Sequence, residues 1–240
     1  MYSVTLFYLL AVAQASDFVY NIHMNRIYIS ARADRALTEY LADSGYEVWM
    51  LPRIPGPDPA IADHPDLVFC SLGPGRPVFH GKIAAVGRPY PADVPYNACC
   101  TGKYFIHNLK YTHAELLAAA EDAGMIPVNV PQGYSRCSCL PITEDAVITA
   151  DQGIIQACRD AGLTVLEVTP GHVELPGYKY GFIGGCAGRV GDTVVFHGSL
   201  AGHPDGAQIR SFIEKRGLKC IDFPEFPLRD IGSVIEECVL

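Results

Sequence analysis

The chain repeats one short grammar four times, and that repetition constrains its fold more than any other feature. Each copy is a β-rich run, an amphipathic helix, a glycine and a second β-rich run. The earliest copy is Arg26-Ile-Tyr-Ile-Ser, then Asp34 to Ser44, Gly45, and Tyr46-Glu-Val-Trp-Met-Leu before Pro52. A second is Lys103-Tyr-Phe-Ile-His-Asn, Thr112 to Ala123, Gly124 and Met125-Ile-Pro-Val-Asn-Val. The third runs from Ala146-Val-Ile-Thr-Ala through Gly162 to Leu163-Thr-Val-Leu-Glu-Val. The fourth runs from Thr193-Val-Val-Phe-His-Gly through Gly217 to Leu218-Lys-Cys-Ile-Asp-Phe.

The punctuation has local physical reasons. Asp34, Asp151 and Thr112 are residue types that cap helices, and Glu115 follows Thr112 at capping-box distance. Glycine at the helix end supplies the left-handed stop. Gly45 and Gly124 are 79 residues apart, about twice the 38 between Gly124 and Gly162. The spacing therefore predicts one degenerate unit between them, and about five units in all. Leu67-Val-Phe-Cys and Pro77-Val-Phe-His around Gly73-Pro74-Gly75 read as the hairpin of that unit. The final Asp230-Ile-Gly-Ser-Val-Ile reads as one more strand.

Two architectures could use such units: a doubly wound parallel sheet or a closed ring with helices outside. A hairpin ahead of each helix favours the ring. Gly184-Gly185-Cys186-Ala187-Gly188 precedes a strand rather than a helix, so it does not read as a phosphate-cradling loop. No cofactor is expected on these grounds.

Composition narrows the function classes. Lys and Arg number 18 against 26 Asp and Glu, a net charge of −8, which argues against binding nucleic acid through its phosphates. No run reaches the length of a membrane span. The nine cysteines mostly sit in apolar runs and read as reduced, buried thiols of a cytoplasmic protein. Cys137-Ser138-Cys139 lacks zinc-knuckle spacing, and no metal site is expected. Residues 1–25 form a poorly defined segment ahead of a single domain at 26–240. Val4 to Ala13 is apolar and Ala13-Gln14-Ala15 looks like a signal-peptidase site, but no basic residue precedes it. A loosely packed first segment is the reading preferred over a signal peptide.

The repeat grammar resembles the pentein fold, a five-bladed propeller of ββαβ units found in guanidino-group-modifying enzymes. His64-Pro65-Asp66, Tyr96-Asn97-Ala98, Gln132-Gly133-Tyr134-Ser135-Arg136-Cys137-Ser138, Gly171-His172-Val173-Glu174 and Asp230-Ile231-Gly232-Ser233 resemble an uncharacterised bacterial family of that fold. The resemblance spans roughly residues 26–235. It implies a hydrolase or transferase acting on a guanidino-type C–N bond, or else a non-catalytic ring that binds a small cationic ligand or a protein partner.

The implied chemistry needs carboxylates around a cation, a thiolate nucleophile and a histidine that carries protons. His172 with Glu174 fits the family's His-x-acid element, since i and i+2 on a strand share a face. Asp66, Asn97, Asp230 and Ser233 are expected to hold substrate. Ser233 occupies the late position where the family carries its cysteine, which leaves Cys238 as the late thiol. Cys137 and Cys186 read as packing thiols. Asp66, Asn97, His172, Glu174 and Ser233 are expected to converge on one polar cavity.

Overall fold

The computed structural model describes residues 25–238. The apolar stretch and the Ala13-Gln14-Ala15 site lie outside those residues. The fold is mixed α/β, built of five small sheets.

The first unit is β1 (Arg26–Ser30), α1 (Arg35–Asp43) and β2 (Glu47–Leu51), with β1 and β2 parallel. A helixless unit follows, β3 (Phe69–Ser71) antiparallel to β4 (Val78–His80), as the glycine spacing predicts. The next is β5 (Cys99–Cys100), β6 (Tyr104–His107), α2 (Ala114–Asp122) and β7 (Ile126–Asn129). A one-turn helix, α3 (Ser135–Ser138), leads into β8 (Cys139–Thr143), β9 (Ala146–Thr149), α4 (Gln152–Asp160) and β10 (Thr164–Glu167). The last full unit is β11 (Ala187–Val190), β12 (Thr193–Phe196), α5 (Gly206–Glu214) and β13 (Lys219–Ile221). In the units of β5, β8 and β11, the hairpin strand pairs antiparallel to the next, which pairs parallel to the strand after the helix.

The final strand, β14 (Ile235–Glu237), returns to pair antiparallel with β1 and completes the first sheet. Strands β3, β5, β8, β11 and β14 touch in that order, and β14 touches β3 again. Ser71, Cys100, Pro141, Arg189 and Ile235, one from each of these strands, line a single small pocket.

Each unit that has a long helix packs it on its own sheet. Leu37 and Leu41 of α1 bury against Ile27 and Ile29. Ile154 and Cys158 of α4 cover Val147, and Ile209 and Ile213 of α5 cover Val194 and Phe196. Full burial of one such side chain is worth about 1.5–3 kcal/mol. Because the apolar contacts are shared out among the units, the middle of the molecule is free to be polar. Among the described residues no helix is long and apolar enough to cross a membrane.

Two local expectations change. In α2 the cap is His113, whose ring accepts from the Glu115 backbone N–H, while Thr112 hydrogen-bonds His107 at 2.7 Å. Asp34 and Asp151 do cap their helices. Asp230 to Val234 is not a strand, because Gly232 and Ser233 adopt φ of 70° and 77°, outside extended geometry.

Two glycines separate backbone strain from crowding. Gly162 stops α4 at φ 87° with open space where a Cβ would stand. Gly188 has ordinary φ, but a Cβ there would overlap the carbonyl of Val234 ahead of β14. Gly162→Ala is expected to cost about 1–2 kcal/mol. Gly188→Ala is expected to cost more, since backbone must move to admit the methyl. Urea unfolding of the two variants checks the order, and equal losses would contradict it.

Candidate functional site

Four of the residues singled out in the sequence meet in the middle of the fold. Asp66, Asn97 and Ser233 are wholly buried and Asp230 nearly so. Asp66 lies on a single helical turn, Pro65–Leu67, ahead of β3. Its Oδ2 accepts from Ser233 Oγ at 2.7 Å and from the Cys137 thiol at 2.9 Å. Asn97 brackets the same thiol. Its Oδ1 accepts from the backbone N–H groups of Arg136 and Cys137, and its Nδ2 donates to the Asp66 carbonyl and toward Cys137 Sγ.

Asp230 is held from the other side. Its Oδ1 accepts from Gly232 N–H and its Oδ2 from Phe182 N–H, each about 3 Å away. The turn after it is tied down by Gly185, whose carbonyl accepts from Ile231 and Ser233. Gly185 must be glycine because a Cβ would overlap the Asp230 carboxylate. Ser233 is the one residue other than glycine with positive φ among the described residues. Strain of this kind persists only where the surroundings impose it.

Two residues without a predicted site role complete the cluster. His64 is buried, with Nδ1 3.7 Å from Asp230 Oδ1 and no partner at Nε2. It precedes Asp66 by two residues, and the ion pair of Asp63 with Arg32 anchors its segment. Cys137, read from sequence as a packing thiol, is the thiol at the centre. Only its hydrogen bonds to Asp66 and Asn97, from distant parts of the chain, distinguish it from the other buried cysteines.

The electrostatics are unbalanced. Burial pushes the Asp66 and Asp230 carboxyls above the usual carboxylate range. Burial, reinforced by the charges of Asp66 and Asp230, pushes the Cys137 thiol well up. Burial likewise holds His64 below its ordinary value, so the ring is neutral at pH 7. Arg136 is the buried cation nearby, but its guanidinium donates to the carbonyls of Cys139, Gly184 and Ala187 rather than to either carboxylate. With both carboxylates ionised, the centre keeps one negative charge in excess.

The other three expected residues are elsewhere. His172 and Glu174 do share a face, but it is the solvent face, because Val173 and Leu175 take the buried one. Glu174 pairs with Arg229 at 3.4 Å in the open, and His172 packs edge-on against His203. Cys238 follows β14 while Ser233 precedes it, and five extended residues span about 16 Å. Its half-buried thiol therefore stands away from the cluster, and burial raises its pKa. Of the five residues expected in one cavity, Asp66, Asn97 and Ser233 converge, while His172 and Glu174 do not.

A cleft of about 220 Å³ lies next to the cluster. Ser138, His172, Gly181, Phe182 and His203 are among its walls. Gly181 and Phe182, in its wall, also lie against Asp230, and Ser138 adjoins Cys137. The Ser138 hydroxyl is buried there without a partner.

Residues 77–235 match a protein family described as being of unknown function, DUF6873. The chain belongs to the DUF6873 family. The matched part of this DUF6873 protein contains Asn97, Cys137, Asp230 and Ser233, whereas His64 and Asp66 precede it and Cys238 follows it. No curated protein matches the chain.

The raised carboxyl of Asp66 has a consequence for stability. A carboxyl whose folded pKa exceeds its unfolded value costs nothing below about pH 4, where both states are protonated. Stability is then lost as pH rises from there through the folded value. Asp66→Asn keeps one oxygen for Cys137 and Ser233 and places its amide at the unpartnered Oδ1 position. Relative to the parent, this variant is expected to gain stability between pH 4 and pH 8. Urea unfolding across that range checks it, and a difference independent of pH would refute it.

Proposed function

We propose that the five sheets form a five-bladed ring of the pentein type, and that its centre acts on a guanidino or amidino C–N bond. The cyclic contact order of β3, β5, β8, β11 and β14 supports the ring, as does the pocket lined from all five strands. The observation that carries the chemistry is the Cys137 thiol, hydrogen-bonded to Asp66 with Asp230 and His64 beside it.

A guanidinium bound between Asp66 and Asp230 neutralises the excess charge of the centre. It also brings a positive charge to Cys137, which favours the thiolate. Asp66 Oδ2 receives the thiol proton. The thiolate adds to the guanidinium carbon, and the C–N bond to the leaving amine breaks as that nitrogen takes a proton relayed through His64. Water then cleaves the C–S bond, releasing the urea-type product and restoring the thiol. Ser233 and Asn97 hold Asp66 and Cys137 in register. The cleft beside Gly181 and Phe182 is the approach, with His172 at its wall.

A second reading is favoured by the tight burial of the cluster: the same carboxylates bind a small cation without turning it over. The two readings divide at Cys137. Incubation with arginine, agmatine and methylated arginines, followed by product analysis, is expected to show turnover. Cys137→Ser is expected to abolish it, and His64→Ala to reduce it about 10²- to 10⁴-fold. Cys238→Ser should leave it unchanged. Turnover that survives Cys137→Ser would refute the thiol mechanism. Binding of a guanidino compound without product would support the second reading.

A further inference from the structure

We propose that His64, Cys137 and Asp230 form a binding site for a transition-metal dication of the zinc class. One ligand atom from each residue lies within 4.8 Å of the other two, and all three residues are buried. The His64 Nδ1 to Asp230 Oδ1 distance is 3.7 Å. That is too long for a hydrogen bond. It is close to the separation of about 3.3–3.8 Å between two ligands of a tetrahedral ion bound at about 2.0–2.3 Å.

A second observation points to the same ligand. His64 Nε2 is buried and has no partner, and Nδ1 stands 3.7 Å from Asp230 Oδ1, beyond hydrogen-bond distance. An imidazole left this way inside a protein loses its hydration without compensation. Coordination to an ion would restore it. The donor set is one nitrogen, one sulfur and one carboxylate oxygen. That set suits zinc, cobalt or ferrous ions, whereas magnesium and calcium require oxygen ligands throughout.

The charges balance. The ion displaces the Cys137 proton, which leaves to water, and no electron is transferred. Two carboxylates, one thiolate, Arg136 and a dication then sum to neutrality. The three ligands come from the segment before β3, from α3 and from the turn before β14. An ion there would tie three separate stretches of the chain together. It would also occupy the atoms that the guanidino reading needs, so metal and guanidinium compete. The inference does not rest on that reading, since it requires no turnover.

The test uses the full chain and the metal alone. Cobalt is titrated into chelator-treated protein, and the thiolate-to-cobalt charge-transfer band is followed. Zinc affinity is measured by competition with a chromophoric chelator. One ion per chain is expected, with the band present, together with a rise in melting temperature on adding zinc. Cys137→Ala should abolish the band. His64→Ala and Asp230→Asn should each weaken zinc at least about 100-fold, the upper range for losing a group that merely orients a ligand. Cys238→Ser should change nothing. Absence of the band and of zinc stabilisation in the unaltered protein would overturn the proposal, whatever the variants do. So would a band that persists in Cys137→Ala.

Discussion

The pairing of the last strand with the first is the constraint on which the rest of this structure depends. Ile235 to Glu237 belongs in sequence to the end of the chain, yet it completes the sheet begun by Arg26 to Tyr28. This pairing fixes where the preceding turn must lie. Asp230 to Ser233 is thereby held against Gly185, His64 and Asp66. A turn with two successive left-handed residues would not hold its shape alone. Here the backbone of Gly185 receives two of its N–H groups, and Asp66 accepts the Ser233 hydroxyl.

Dividing the core among the units has an electrostatic consequence. Each of the four long helices buries its apolar face on its own sheet, so the polar cluster need not supply hydrophobic stabilisation. It instead contains two carboxylates, a neutral imidazole, a protonated thiol and one arginine satisfied by carbonyls. Burying ionisable groups this way lowers stability unless a counter-charge is present. With both carboxylates ionised, such a centre is suited to a cation. A guanidinium and a zinc-class ion are the two cations proposed for it.

The solvent-facing His172 and Glu174 illustrate how a correct local inference can reach the wrong surface. Alternation does put both side chains on one face. Which face is buried depends on what packs against it, and here Val173 and Leu175 take the interior. Glu174 nevertheless contributes through its backbone, accepting the Asp230 N–H and donating to Leu228. Its main chain thus helps position the cluster while its carboxylate pairs with Arg229 in solvent.

Local punctuation made most of the architecture legible. The four helices and their left-handed glycine stops, two of the aspartate caps and the helixless second unit follow from residue types at short range. Asp66, Asn97, Asp230 and Ser233 come into view through the resemblance to the pentein fold and the cation-binding chemistry it implies. Cys137 reads as a packing thiol and His64 is given no role, because a thiol and a histidine before a proline look alike in sequence whether they pack or react. Their partners lie tens to more than a hundred residues away in the chain: Cys137 meets Asp66 and Asn97, and His64 meets Asp230. Contacts over such separations depend on strand order and on the return of β14 to β1. Sequence determined the units, and tertiary structure decided which side chains share the centre, because only the packing of one unit on another brings those groups within bonding distance.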